Sequence, residues 1–267
     1  MSGLLPALAD AGVVAKRNLI KIKRVPELLV FTTMSPIMFV LLFAYVFGSA
    51  IDVPGVGYRE FLIAGIFAQT VIFGATLTGA GLADDIQKGV IDRFRSLPMA
   101  RSAVLVGRTT SDIANNVLVI VVMSATGLLV GWRIRTSVLE ALAGFLLLLL
   151  FAYAVSWLMA CVGLLVPSVE VVQQASFIVI FPLTFIANTF VPTNDFPSVL
   201  RTLANWNPVS AVTQAARELF GNTSPAFPAP EVWPLQHPVL YTLIWVAALL
   251  AVFVPLAVAL YKRAASR

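Results

Sequence analysis

The sequence is poor in charge, in cysteine and in histidine. Charged residues fill 12% of its 267 positions, about half the ~25% usual for a soluble domain. A soluble fold of this composition lacks the polar surface to cover itself, so an ordinary cytosolic enzyme and a disordered chain are excluded. The lone cysteine, Cys161, excludes an intrachain disulfide and a cysteine zinc site, and the lone histidine, His237, leaves little for imidazole ligation. The patterns G-x-x-x-x-G-K-[ST], H-E-x-x-H and G-x-S-x-G are all missing, so nothing points to a phosphate-cradling loop, a zinc protease or a nucleophile elbow. No catalytic residue, metal site or cofactor is expected in this chain. Carboxylates at mid-span are nearly absent too, which argues against ion-coupled transport.

What is abundant is apolar: 59% of residues are hydrophobic, and the mean hydropathy is +0.92. Six stretches meet the ~20 residues that a membrane-crossing helix needs: Leu28–Ile51, Phe61–Ala83, Ile113–Trp132, Ala141–Val166, Val171–Thr193 and Val239–Tyr261. Leu146–Phe151 and Val239–Leu260 do not alternate as barrel strands would. The expected fold is therefore an all-α, multi-pass membrane bundle with no separate soluble domain, residues 1–267 forming one unit. With both termini inside, 13 of the 18 Lys and Arg fall on the cytoplasmic side, which supports an N-in, C-in orientation. The net charge of +5 then reads as loop charge facing lipid, and no nucleic acid is expected as a partner. The first 25 residues do not read as a signal peptide, because Asp10 breaks the apolar stretch and the basic cluster follows it.

Between the spans, three segments carry a pattern. Residues 4–24 place Leu4, Leu8, Ala11, Ala15, Leu19 and Ile22 on one side and Lys16, Arg17, Lys21 and Arg24 elsewhere, the mark of an amphipathic interfacial helix. The inner loop at 84–100 should continue the second span as a helix, with Gly89 as a weak point and Pro98 as a stop. Ile86, Val90 and Phe94 recur every four residues there and predict one apolar face, bordered by Lys88, Arg93 and Arg95. The outer segment at 190–237 predicts two short helices, Val199–Trp206 and Ser210–Phe220, then a turn or surface loop at Asn222–Pro234.

Within the spans, Arg108 and Asp112 are one helical turn apart and can pair, with Asn115 and Asn116 on the same side; the reading is a structural ion pair or a polar patch on a pathway. Glu140 is expected at the outer interface near Arg133 and Arg135. Gly74, Gly79 and Gly81 give the second span a small-residue face for close helix packing, within the chain or between copies. Phe39 and Phe43 on the first span and Phe177, Phe181 and Phe185 on the fifth face lipid, core or a cavity. A cavity there would suit flat, weakly polar ligands.

Four segments resemble the ABC-2 type permeases, most closely the daunorubicin/doxorubicin drug-resistance branch. They are Lys21–Leu28 running into Pro36–Phe39 and Phe43–Gly48; Asp84–Met99, above all Gly89–Pro98; Phe181–Phe185 with Asn188, Phe190 and Val191; and Asn207–Pro208 with Pro255–Ala257. The resemblance implies a type-2 ABC exporter membrane fold with six transmembrane helices, in the bacterial cytoplasmic (inner) membrane. It implies a homodimer or a heterodimer with a second permease, and a separate ABC ATPase subunit that binds ATP and Mg. Its cargo would be an amphipathic small molecule of drug or antibiotic type, as in multidrug efflux. Asp85, Ile86, Lys88, Gly89, Val90, Arg93, Phe94, Arg95 and Pro98 would couple to the ATPase, and Arg17, Lys21, Lys23 and Glu27 would dock the interfacial helix. Phe39, Phe43, Gln69, Phe73, Phe177, Phe181, Phe185 and Asn188 would line the substrate path, and the outer short helices would form the gate. Export of a lipid-linked glycan or cell-wall polymer, or a non-transporting membrane scaffold or sensor, are the alternative readings.

Overall fold

A computed structural model describes residues 26–48, 53, 55–90, 101–166, 168–194, 196–223, 226 and 231–264. The regular elements among them are all helical. In chain order they are α1 (Pro26–Leu41, continued by a π-helical turn, Leu42–Phe47), α2 (Tyr58–Gly74), α3 (Thr76–Gln87), α4 (Arg101–Val130), α5 (Val138–Leu165), α6 (Val169–Phe185), α7 (Ser198–Trp206), α8 (Pro208–Phe220), α9 (Trp233–Gln236) and α10 (Pro238–Ala264). Four rods are long and apolar enough to cross a membrane: Tyr58–Gln87, Leu105–Val130, Val138–Leu165 and Pro238–Arg263. Of two shorter apolar helices, Met34–Val46 falls within the first stretch expected from the sequence and Val169–Phe185 overlaps the fifth. The interfacial helix expected at 4–24 and the loop residues 91–100 lie outside the described residues.

The rod made of α2 and α3 sits innermost. Of its most apolar 18-residue window, 72% is buried, against 11% for the last rod, so α10 faces outward while α2–α3 is surrounded. Glycine makes this possible. Gly79 of α3 and Gly163 of α5 touch through their backbones, and a Cβ on Gly163 would strike the Gly79 backbone. The small-residue face of the second span is therefore used within the chain. α5 in turn packs on α10, α3 and α8. At one end of the bundle Trp132 is fully buried among Phe67, Phe145 and Phe220, whose rings meet mostly edge to face or tilted. At the other end Leu82, Leu105, Trp157, Ala160, Cys161, Ala257 and Tyr261 form a second cluster.

The helix ends follow from local chemistry. Ser137 and Glu140 form a reciprocal capping box at the start of α5. The Glu140 carboxylate turns back on Ser137, and Arg135 pairs with Glu60 at 2.7 Å. The Glu60 hydrogen bond and charge raise the Arg135 pKa above its ordinary value. Asn207 caps α8 by accepting from the Val209 N–H at 2.8 Å, with Pro208 in the first turn. Gly221 ends α8 at φ 71°. Asn222, read from the sequence as part of a turn or surface loop, is 1% exposed; it accepts from Trp132 Nε1 at 2.6 Å and donates to the Arg133 carbonyl. The two short helices expected at Val199–Trp206 and Ser210–Phe220 are present as α7 and α8. Gly89, at φ 63°, follows the end of α3, so Ile86 and Val90 do not share one uninterrupted helical face.

The Gly79–Gly163 crossing yields a stability prediction. Gly163→Leu should lower the melting temperature in detergent, because added bulk meets backbone; overpacking costs about 1–3 kcal/mol. Gly57→Ala, where a Cβ meets only open space, should leave it unchanged.

Candidate functional site: an aromatic cavity with an amide wall

Five helices line a half-open cavity of about 400 Å³, within the ~300–1,000 Å³ range of small-molecule sites. α1 contributes Ser35, Pro36 and Phe39, and α2 contributes Gln69, Thr70, Phe73 and Gly74. Thr76 and Leu77 come from α3, Asn115, Asn116 and Val119 from α4, and Phe177 and Phe181 from α6. None of these side chains is charged. The break between α2 and α3 lies in the wall: the Ala75 N–H is shared between the Val71 and Ile72 carbonyls, and Thr76 Oγ1 donates to the Phe73 carbonyl at 2.7 Å. A Cβ on Gly74 would strike the Asn116 carboxamide, so this glycine lets the amide lie against the rod. The chemistry is that of two polar amides and several hydroxyls opposite phenyl rings. It can hydrogen-bond a neutral polar substituent and stack a flat apolar body, and it has no group for covalent or acid–base work.

From this cavity runs an unbroken series of ring contacts. Phe177 and Phe181 stack with centroids 4.8 Å apart, and Phe181 and Phe185 with centroids 4.1 Å apart. Phe185 meets Phe190 at 4.8 Å, Phe190 meets Phe43 at 4.6 Å, and Phe43 meets Phe39 at 5.9 Å. The series is an arch whose feet, Phe39 and Phe177, both line the cavity. Phe43 lies on the π-helical turn after α1, a local widening often found at functional sites.

One helical turn beyond the cavity lies the expected ion pair. Arg108 Nε is 3.5 Å from Asp112 Oδ2, Thr78 Oγ1 donates to the same oxygen at 2.5 Å, and Arg108 Nη2 donates to the Leu77 carbonyl at 3.0 Å. Thr78 and Leu77 are partners that helical spacing on α4 alone does not reveal. A second, larger cavity of about 550 Å³ opens at the Trp132 end, lined by Arg59, Glu60, Arg135 and several glycines. It is charged and largely backbone-walled, so the aromatic cavity is the better fit to a small organic ligand.

The residues expected from the sequence sort as follows. Phe39, Gln69, Phe73, Phe177 and Phe181 line the cavity, and Phe43 and Phe185 continue the arch. Asn188 stands apart from the cavity: it is buried, and its carbonyl accepts from Arg217. Asp85, Ile86, Lys88, Gly89 and Val90 lie at the far end of α3, where Ile86 packs on the second cluster and Lys88 pairs with Asp84. Arg17, Lys21, Lys23, Arg93, Phe94, Arg95 and Pro98 fall outside the described residues, and Glu27 lies on α1. Sequence reasoning missed Ser35, Thr70 and Thr76, and above all Arg217.

The ABC-2 type transporter profile matches residues 10–220. This chain belongs to the ABC-2 type transporter family. It is 33% identical over 246 residues to the daunorubicin resistance ABC transporter permease protein DrrB1 of Streptomyces coeruleorubidus, covering 92% of this chain and 83% of that protein. It is 24% identical over 233 residues to the probable doxorubicin resistance ABC transporter permease protein DrrC of Mycobacterium tuberculosis, covering 86% and 80%. It is 23% identical over 212 residues to the putative transport permease ycf38 of Porphyra purpurea, covering 78% and 72%. The protein is thus an ABC-2 permease, a multi-pass membrane protein related to drug-resistance permeases.

Within this ABC-2 bundle, Asp112→Leu should destabilise by about 3 kcal/mol, the low end for breaking a buried pair because Arg108 keeps some exposure. The double variant Arg108→Met/Asp112→Leu should recover most of that loss. Thermal unfolding of the three purified proteins checks both.

Proposed function

We propose that this permease is the membrane-spanning subunit of an exporter that carries amphipathic, partly aromatic small molecules out across the bacterial cytoplasmic membrane. The observation that carries the reading is the uncharged aromatic cavity and the arch of phenylalanines rising from it. The modest cavity volume and phenyl lining favour a small molecule over a glycan polymer. The two drug-resistance relatives support the same cargo class.

In this reading the bundle crosses the membrane six times, with α1 and its π-helical turn as the first crossing, α6 as the fifth, and both termini inside. α7 and α8 then lie at the outer end, and Gln87–Val90 at the inner end. A separate ATPase subunit, holding ATP and Mg, docks on the inner loop, with Ile86, Lys88, Arg93, Phe94 and Arg95 as the coupling surface and the interfacial helix with Lys21 and Lys23 beside it. A second permease, identical or related, completes the pathway, and membrane lipid surrounds the pair.

ATP binding closes the ATPase subunits, and the motion enters through the end of α3. The α2–α3 rod carries it to the cavity wall at Gly74, where Asn116 and Phe73 shift relative to Phe39 and Phe181. Cargo moves because its affinity differs between the inward and outward arrangements; equal binding to both would move nothing.

Two measurements test the proposal. Phe181→Ala and Phe39→Ala should alter efflux of aromatic amphiphiles several-fold, since each ring supplies about 0.5–1.5 kcal/mol of stacking beyond its buried area, while leaving assembly with the ATPase intact. Unchanged efflux of every compound tested would remove the cavity from the path. Arg93→Ala with Phe94→Ala should reduce co-purification with the ATPase or its stimulated turnover; full retention of both would overturn the coupling assignment.

A further inference from the structure

We infer that Arg217 is a positioning residue that latches the backbone beyond α6 and so holds the outer end of the aromatic arch closed. This rests on the export reading above and deepens it. Arg217 lies on α8 and is 2% exposed. Among the described residues it has no ion-pair partner. Its guanidinium sits 3.5 Å from the Phe61 ring centre and donates through Nε to the Phe61 carbonyl at 2.9 Å. Nη2 donates to the carbonyls of Asn188 and Thr189 at 2.5 and 3.3 Å.

Those carbonyls belong to a stretch that has left its helix. α6 ends at Phe185, and the chain through Phe190 is non-helical. Tyr58 Oη donates to the Phe190 carbonyl at 3.1 Å, Asn207 Nδ2 to the Leu183 carbonyl at 2.7 Å, and the Asn188 N–H to Ser210 Oγ at 3.1 Å. From below, Gly65 lies so close that a Cβ there would strike the Thr189 carbonyl. Phe190, carried by this stretch, is the ring that joins the two arms of the arch. Where the stretch goes, the apex goes.

Burying a guanidinium is costly: taking it out of water costs several kcal/mol, and among the described residues only backbone carbonyls and the Phe61 ring offset that cost. Nη1, Thr189 Oγ1, Thr213 Oγ1 and Asn188 Oδ1 also meet no protein partner, so the closed arrangement leaves hydrogen-bonding capacity unspent. A cation of this kind suits a contact that must break and re-form: closed, it holds two carbonyls; open, it is hydrated.

The test uses the full permease with its ATPase in liposomes, in a Cys161→Ala, Gln69→Cys background, so that the only thiol of the permease faces the cavity. A membrane-impermeant maleimide is added at the outer face without nucleotide. Arg217→Met should label about tenfold faster or more than its parent, since losing one hydrogen bond to a charged group shifts an equilibrium by at least that factor. Gly65→Ala, which displaces Thr189 with the arginine intact, should move in the same direction. Assembled Arg217→Met that labels at the parent rate overturns the latch. If Arg217→Met does not assemble, Gly65→Ala decides by the same criterion. If neither assembles, the contacts serve folding and the latch is wrong. The labelling needs no cargo, so a failure of the export reading in the efflux assays is distinguishable from a failure here.

Discussion

A backbone carbonyl that leaves its helix inside a bilayer has no water to turn to, and the protein itself must supply the donor. Much of the architecture around α7 and α8 follows from that constraint. α6 contains Pro182 and ends at Phe185, and the carbonyls of Leu183, Asn188, Thr189 and Phe190 are met by Asn207, Arg217 and Tyr58. Supplying these donors requires the α7–α8 turn to tuck against α6, a face of α8 to carry a buried arginine, and the start of α2 to lie under Phe190. Asn207 serves both sides of this arrangement, capping α8 with its oxygen and holding Leu183 with its nitrogen.

The inner rod ties this outer knot to the rest of the bundle. Along α2–α3, Gly65 meets the Thr189 backbone, Gly74 the Asn116 carboxamide, Gly79 the Met159 backbone, and Gly81 the Arg108 guanidinium. Each contact sits at a different height, and each is too close for a Cβ. Interiors packed at this density transmit displacement and do not absorb it. The break at Ala75 divides the rod at the cavity, so its lower half, which ends at the Gly89 turn, and its upper half, which touches the knot, meet where a ligand would lie.

Much of this was legible in the sequence, for physical reasons. Long uncharged runs mark spans because charge is costly in hydrocarbon, and the Arg108–Asp112 pair followed from helical spacing on one element. The α7 and α8 boundaries followed from proline placement, while the place of Phe39, Phe177 and Phe181 in apolar spans left lipid, core and cavity open. What was illegible depends on a second element. Ser137 three residues before Glu140 is the capping-box signature, present in the sequence and not read there. Arg217 counted only as an outer positive charge, although its place one turn after Thr213 and three before Phe220, on the buried side of α8, was the available signal. Phe190 and Phe43 lie 147 positions apart in the chain, and no periodicity joins them.

The scarcity of charge along the sequence also explains the character of the cavity. Its lining offers amides, hydroxyls and phenyl rings, so binding there draws on dispersion, stacking and neutral hydrogen bonds, which scale with contact area and discriminate weakly between shapes. A naked carboxylate would change that, selecting cations and repelling anions. One lies close by: Asp112 sits a single turn from Asn115 and Asn116. Arg108 and Thr78 both meet its Oδ2, and Gly81 leaves room for the Arg108 guanidinium. On the export reading, the ion pair is therefore more than a structural contact. By neutralising an acid one turn from the cavity wall, it leaves the lining uncharged.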